Sequence, residues 1–154
     1  MKSTTPIKRA PELRPLSHDH HHGLLLCWKI KTGMAKNIDL QRIKKYVDWF
    51  YEIYLKTHFE LEEKYVFTIL EADNALIEQA LKEHRTLNEL FESTSDLEIN
   101  LKRIEKELDS HIRFEERVLF AEIQKATTKE QLKKIEEIHS KEAFIENEDA
   151  DFWS

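Results

Sequence analysis

The sequence predicts an all-α fold, an up-down four-helix bundle with a short fifth helix at the C-terminal end. Three observations predict it. All three prolines (Pro6, Pro11, Pro15) precede residue 16, and the only two glycines are Gly23 and Gly33, so almost nothing downstream interrupts a helix. Leu, Glu, Lys and Ile dominate the remainder, a composition that favours helices over strands. Capping residues divide the chain into four long stretches joined by short connections, the pattern of an antiparallel bundle.

Residues 1–15 are polar and punctuated by proline, and read as an extended arm. Ser17 is a natural N-cap and Asp19 suits a first turn, which starts helix 1 and carries it to about Met34. Asp39 caps a long helix 2 running through Ala72. Asn74 caps helix 3, to about Ser93, and Ser95 or Asp96 opens helix 4, to about Ala126. Thr127-Thr128-Lys129-Glu130-Gln131 offers a capping box for helix 5. The bundle with its fifth helix thus spans 16–142. The acidic tail, 143–154, is expected to fray unless Phe152 and Trp153 dock.

At 154 residues the chain has the size of one domain, with 40% apolar and 35% charged residues, as amphipathic helices in a soluble protein require. A net charge of −6 with scattered Lys and Arg excludes a nucleic-acid or anionic-membrane surface. The single cysteine, Cys27, excludes an intramolecular disulfide and leans towards a reducing compartment. The apolar run Leu24–Trp28 is too short for a signal-peptide core or a membrane span, so a cytoplasmic location is expected.

The chemistry lies in an internal repeat. HFELEEKYVF at 58–67 and HIRFEERVLF at 111–120 both read H-x-x-x-E-E-x-x-x-F. Each is preceded by a helix with an acid–histidine pair, Asp19-His20 and Glu83-His84. At 100° per residue, positions i and i+4 differ by only ~40°. Glu62 therefore shares a face with His58, and Glu115 with His111, whereas Glu63 and Glu116 lie roughly 140° away and are expected at solvent or a helix edge. Leu55, Val66 and Ile69 flank the first pair; Ile104, Leu108, Val118 and Leu119 flank the second. His84 shares its stripe with Ala80, Leu81, Leu87 and Phe91.

The cluster SHDHHHGLLLCW at 17–28 resolves in the same way. Leu16, His20, Gly23, Cys27, Ile30 and Met34 fall within about 40° of one direction, while His18, His21 and His22 project roughly 100° or more from His20. The cluster is neither a tag nor a four-histidine site. His20 is the inward ligand, with His21 the alternative if the helix entry is irregular.

Buried carboxylates need compensating cations, and no Arg or Lys falls on these stripes. Buried His–Glu hydrogen bonds are the plainer explanation for one motif; the doubled constellation favours metal. Imidazole with carboxylate and no thiolate suits iron, manganese or zinc. Four histidines and two glutamates exceed one tetrahedral zinc and fit two metals bridged by the glutamates.

Through DHHHGLLL, HFELEEKYVF, EHRTLNELF and HIRFEERVLF, residues 16–126 resemble the hemerythrin-like (HHE cation-binding) family. The resemblance implies His20, His58, Glu62, His84, His111 and Glu115 as ligands of two non-heme iron ions, bridged by carboxylates and an oxo or hydroxo group. It implies O2, NO or peroxide as the small ligand. The expected function is to bind or sense O2 or NO or to handle iron; the alternative is a peroxidase-like or NO-reducing di-iron oxidoreductase. One departure stands out: the oxygen carriers have a doubled histidine in the second helix and a fifth histidine ligand, and here residue 59 is Phe. His139, in a Glu136-x-x-His139 spacing, is a candidate to complete the site, the alternative being a packed or capping histidine. Cys27 reads as a small core residue, and Trp28, Trp49, Tyr51 and Tyr54 as packing or interface residues. The outer side of helix 1 (Leu25, Trp28) leaves room for a homodimer interface unless helix 5 covers it.

Overall fold

Proline starts the first helix earlier than a side-chain cap would. In the computed structural model, which describes residues 8–139 and 145–153, a 3-10 turn at Pro11–Leu13 leads directly into α1 (Arg14–Ala35). Pro15 sits in the first turn of α1, where a missing N–H costs nothing. Leu13 and Leu16 are fully buried, and Arg9 donates to the Glu116 carbonyl (2.6 Å) and to Gln124 Oε1 (3.1 Å). Burial and these bonds fold residues expected to be an extended arm onto the bundle. Ser17 is consequently not a cap; its hydroxyl donates to Glu116 Oε2 at 2.8 Å. Residues 1–7 of the expected arm, 140–142, and 143, 144 and 154 of the expected tail lie outside the described residues.

The other helix starts agree with the sequence. The Asp39 carboxylate accepts from the Gln41 N–H (3.0 Å) and opens α2, residues 40–69. Asn74 accepts from Leu76 (2.8 Å) and opens α3 (Ala75–Glu92). Asp96, in the left-handed region at φ 35°, accepts from Ile99 and opens α4, residues 97–126; a short acid tolerates that conformation better than most residues. Thr128 and Gln131 exchange a reciprocal pair of bonds (2.9 and 3.1 Å), a capping box for α5 (Lys129–His139). No strand occurs among the described residues, and none of their helices is long and apolar enough to cross a membrane.

Two of these rods are not uniform. At Glu62–Val66 in α2 and Glu115–Leu119 in α4 the helix widens into a π turn, closed by Phe67 N–H on the Glu62 carbonyl and Phe120 N–H on the Glu115 carbonyl. A further π turn occupies Tyr51–Leu55. Each π turn shifts the phase of the helix beyond it, which explains why Val118 is 42% exposed instead of flanking His111, while Leu119 and Phe120 are buried.

Apolar side chains form two separate clusters. One gathers Leu26, Ile30, Ile43, Phe50, Leu87, Ile104 and Leu108; the other Leu16, Leu61, Val66, Ala80, Leu119, Phe120 and Ile135. Along α1 and α3 the ligand candidate falls between the two, His20 between Leu16 and Leu26 and His84 between Ala80 and Leu87. The tail is docked, not frayed. Phe152 is fully buried against Gly33 and Ile43, Arg42 pairs with Asp149 (2.7 Å), and Trp153 stacks edge-on against Trp28. This segment partly covers the outer side of α1 at Trp28.

Candidate metal centre

The polar layer between the two apolar clusters is built from one histidine on each bundle helix and one glutamate on each of α2 and α4. His20, His58, His84 and His111 are at most 5% exposed and Glu62 and Glu115 are fully buried. The expected i, i+4 pairing holds: His58 Nε2 lies 3.2 Å from Glu62 Oε2, and His111 Nε2 3.1 Å from Glu115 Oε2. His20 Nε2 is 2.9 Å from Glu115 Oε1, and His84 Nε2 is 3.2 Å from Glu62 Oε1. Each carboxylate thus turns one oxygen to each side. Two four-residue groups result, His20/His58/Glu62/Glu115 and Glu62/His84/His111/Glu115, with all the donor atoms of a group within 4.8 Å of one another. His21 is exposed and takes no part.

The outward nitrogens settle which atom faces the centre. His20 Nδ1 meets Glu116 (2.6 Å), His58 Nδ1 meets Asp19 (2.9 Å), His84 Nδ1 meets Glu63 (2.7 Å) and His111 Nδ1 meets Glu83 (2.7 Å). A carboxylate only accepts, so each Nδ1 carries a proton, and a ring that gives up its second proton to a cation presents its Nε2 lone pair to the centre. Periodicity alone does not find these four acids. It assigns Glu63 and Glu116 to solvent or a helix edge, and it presents Asp19-His20 and Glu83-His84 as mere neighbours. In space Asp19 serves the other helix of its own hairpin, Glu83 does the same in the second, and Glu63 and Glu116 reach across to the opposite hairpin. The signal that could have found them is the second Glu of the motif, repeated in both copies.

The electrostatics of the layer are those of mutually paired histidines and carboxylates. Burial pulls the four imidazoles down, but the surrounding carboxylates outweigh it. His58 is raised to about 9 by Glu62 and Asp19, and His20, His84 and His111 are raised too. Burial pushes Glu62 and Glu115 up, yet the facing histidines hold both below the usual carboxylate range. The ion pairs of Glu62 and Glu115 among the described residues are all with histidines. Even so, both oxygens of each glutamate and the Nε2 atoms of His84 and His111 have no hydrogen-bond partner. Orphaned buried carboxylates cost several kcal/mol. Six converging, unsatisfied donor atoms of N and O type fit bound cations.

Aromatic rings close the site. Phe59, the residue in place of a second histidine, is buried and stacks on His84 (4.1 Å between centroids) with its edge towards His111 (5.9 Å). Phe67 packs on His84 and Phe120 on His20; these are the terminal Phe of each motif copy, brought inward by the π turns. His139 does not complete the centre. Its Nε2 bonds Asp19 Oδ2 at 2.5 Å, the same oxygen that meets His58 Nδ1. Cys27 is a buried free thiol in the apolar cluster, and burial raises its pKa out of any reactive range.

Fold and site together define a helical-bundle metal-binding protein with a buried histidine–carboxylate centre. Residues 12–97 match the hemerythrin HHE cation-binding domain, more than half of the chain, and the chain belongs to that family. The match stops at the first residue of α4, so the placement of His111 and Glu115 rests on the geometry above. No curated protein and no solved structure matches the chain.

Proposed function

We propose that the protein holds two iron ions, one in each histidine–carboxylate group, and uses them to bind or sense a small ligand such as O2, NO or peroxide. The observation that carries this reading is the pair of four-residue groups sharing Glu62 and Glu115, whose four carboxylate oxygens are buried with no hydrogen-bond partner. When bound, the iron pair supplies redox-active positions open to a small molecule. The chain does the rest. Asp19, Glu63, Glu83 and Glu116 fix each imidazole and raise its basicity; Phe59, Phe67 and Phe120 keep bulk water off the layer. Loading the metal-free protein with Fe(II) without air and then admitting air tests this. Two irons per chain with a new charge-transfer absorption are expected; fewer than two, with no such absorption, overturn it.

A second reading, a di-iron oxidoreductase acting on peroxide or NO, draws support from Phe59. With a phenyl ring where a fifth histidine would stand, each group offers four protein donors, whereas an iron ion takes about six. Repeated turnover of H2O2 or NO with an electron donor supports this reading, and a stable stoichiometric adduct supports the first.

A further inference from the structure

His18 and His22 point away from the buried centre, but they do not point away from each other. They stand one turn apart on the outer side of α1, with Nε2 atoms 3.2 Å apart and rings at 88° with centroids 4.7 Å apart. The buried pair His20/His58 has the same Nε2–Nε2 separation, 3.2 Å, with centroids 4.9 Å apart. At a metal–nitrogen distance of about 2.0–2.1 Å, that separation subtends roughly 100° at the metal, between the angles of octahedral and tetrahedral sites. We propose that His18 and His22 form a separate, solvent-facing metal site for borderline divalent ions such as Ni2+, Cu2+ and Zn2+.

Two features favour this class of ion. Both donors are imidazole nitrogens with no carboxylate between them, which suits copper, nickel and zinc better than the harder ions. Both sit on one regular helical turn, so the spacing is set before any ion arrives and little ordering entropy remains to be lost. His21 stands apart, its ring centroid 6.3 Å from that of His18 and 5.6 Å from that of His22, and is not needed. Without metal the same contact is an N–H···N hydrogen bond, and the test separates the two.

The test uses the full chain with its buried centre loaded with iron, titrated with Ni2+ by calorimetry. One additional Ni2+ per chain is expected. His18→Ala and His22→Ala should each weaken it at least tenfold, while His21→Ala leaves it unchanged; far-UV circular dichroism checks the fold. With one equivalent of Cu2+, electron paramagnetic resonance should show two coupled nitrogens, and one in His18→Ala. Equal Ni2+ affinity in wild type and in the doubly substituted H18A/H22A protein overturns the proposal, as does a loss in His21→Ala matching that in His18→Ala. The site should persist in His58→Ala, which damages the buried centre, so failure of one site is told apart from failure of the other.

Discussion

Glu116 shows how much one carboxylate outside the donor set can decide. Its Oε2 lies 2.6 Å from His20 Nδ1, and it also receives Ser17 and Arg9. Substituting Glu116→Gln keeps the shape but removes the charge that holds the ring; metal affinity should fall about 10- to 100-fold, measured by competition with a chelator, with the helix content unchanged. Glu115 acts differently because it faces both groups. Glu115→Gln should abolish loading of both ions, whereas His111→Ala should reduce loading mainly in the His84/His111 group; elemental analysis of reconstituted protein distinguishes them. Equal loss in the two variants would contradict a shared carboxylate. The six ligand candidates are legible at this scale because spacing alone sets which residues share a face. Their outward partners are not, since Glu63 and Glu116 reach histidines on other helices, and that distance is invisible to periodicity.

At the scale of the element, the π turns mark the limit of counting at 100° per residue. The two at Glu62 and Glu115 each begin at the ligand candidate and end at the residue before the motif's Phe, a placement typical of π turns at functional sites. A straight α-helix puts Val118 on the inner stripe, and the wider turn moves it to the surface. Deleting Val118 should restore α geometry after Glu115 and leave the Phe120 N–H on the Glu115 carbonyl, now four residues back, so that Phe120 and Ile123 keep their places in the second apolar cluster. We expect a folded protein with a Tm within a few degrees of the wild type, read by thermal denaturation, and a Tm lower by roughly 10 °C would contradict the reading of this turn as a one-residue insertion. Helix starts are legible where a side chain caps, as at Asp39, Asn74 and Thr128. At Arg14 they are not, because burial of Leu13 and Leu16 and the bonds of Arg9 set the boundary.

The molecule as a whole carries the centre as a pH-dependent liability when metal is absent. The histidines are raised above 6.5 in the folded chain, so their stabilisation is fully present below 6.5 and is lost as pH rises through the folded values, about 9 for His58. Glu62 and Glu115 are lowered below 4.5, so theirs is present above 4.5 and lost as pH falls. Chelator-treated protein should therefore resist urea best between about pH 4.5 and 6.5 and unfold at lower urea at pH 9. Metal-loaded protein should not weaken over that upper range, because coordination keeps the rings neutral and protons compete less as pH rises. Equal midpoints at pH 6 and 9 without metal would contradict the pairing described above. The bundle is legible from the sequence; the tail is not, because the docking of Phe152 depends on the gap beside Gly33 and Ile43.

The crossing of Glu63 to His84 and of Glu116 to His20 also bears on how such a molecule could arise. Each hairpin supplies a grip for the other and receives the same grip in return, the reciprocity of a two-fold symmetric dimer interface. A single ancestral hairpin bearing one acid–histidine pair and one H-x-x-x-E-E motif would have met every one of these contacts by pairing with its own copy. Duplication and fusion would then have turned a homodimer's axis into an internal one, leaving both halves free to diverge only where they do not touch the layer they share.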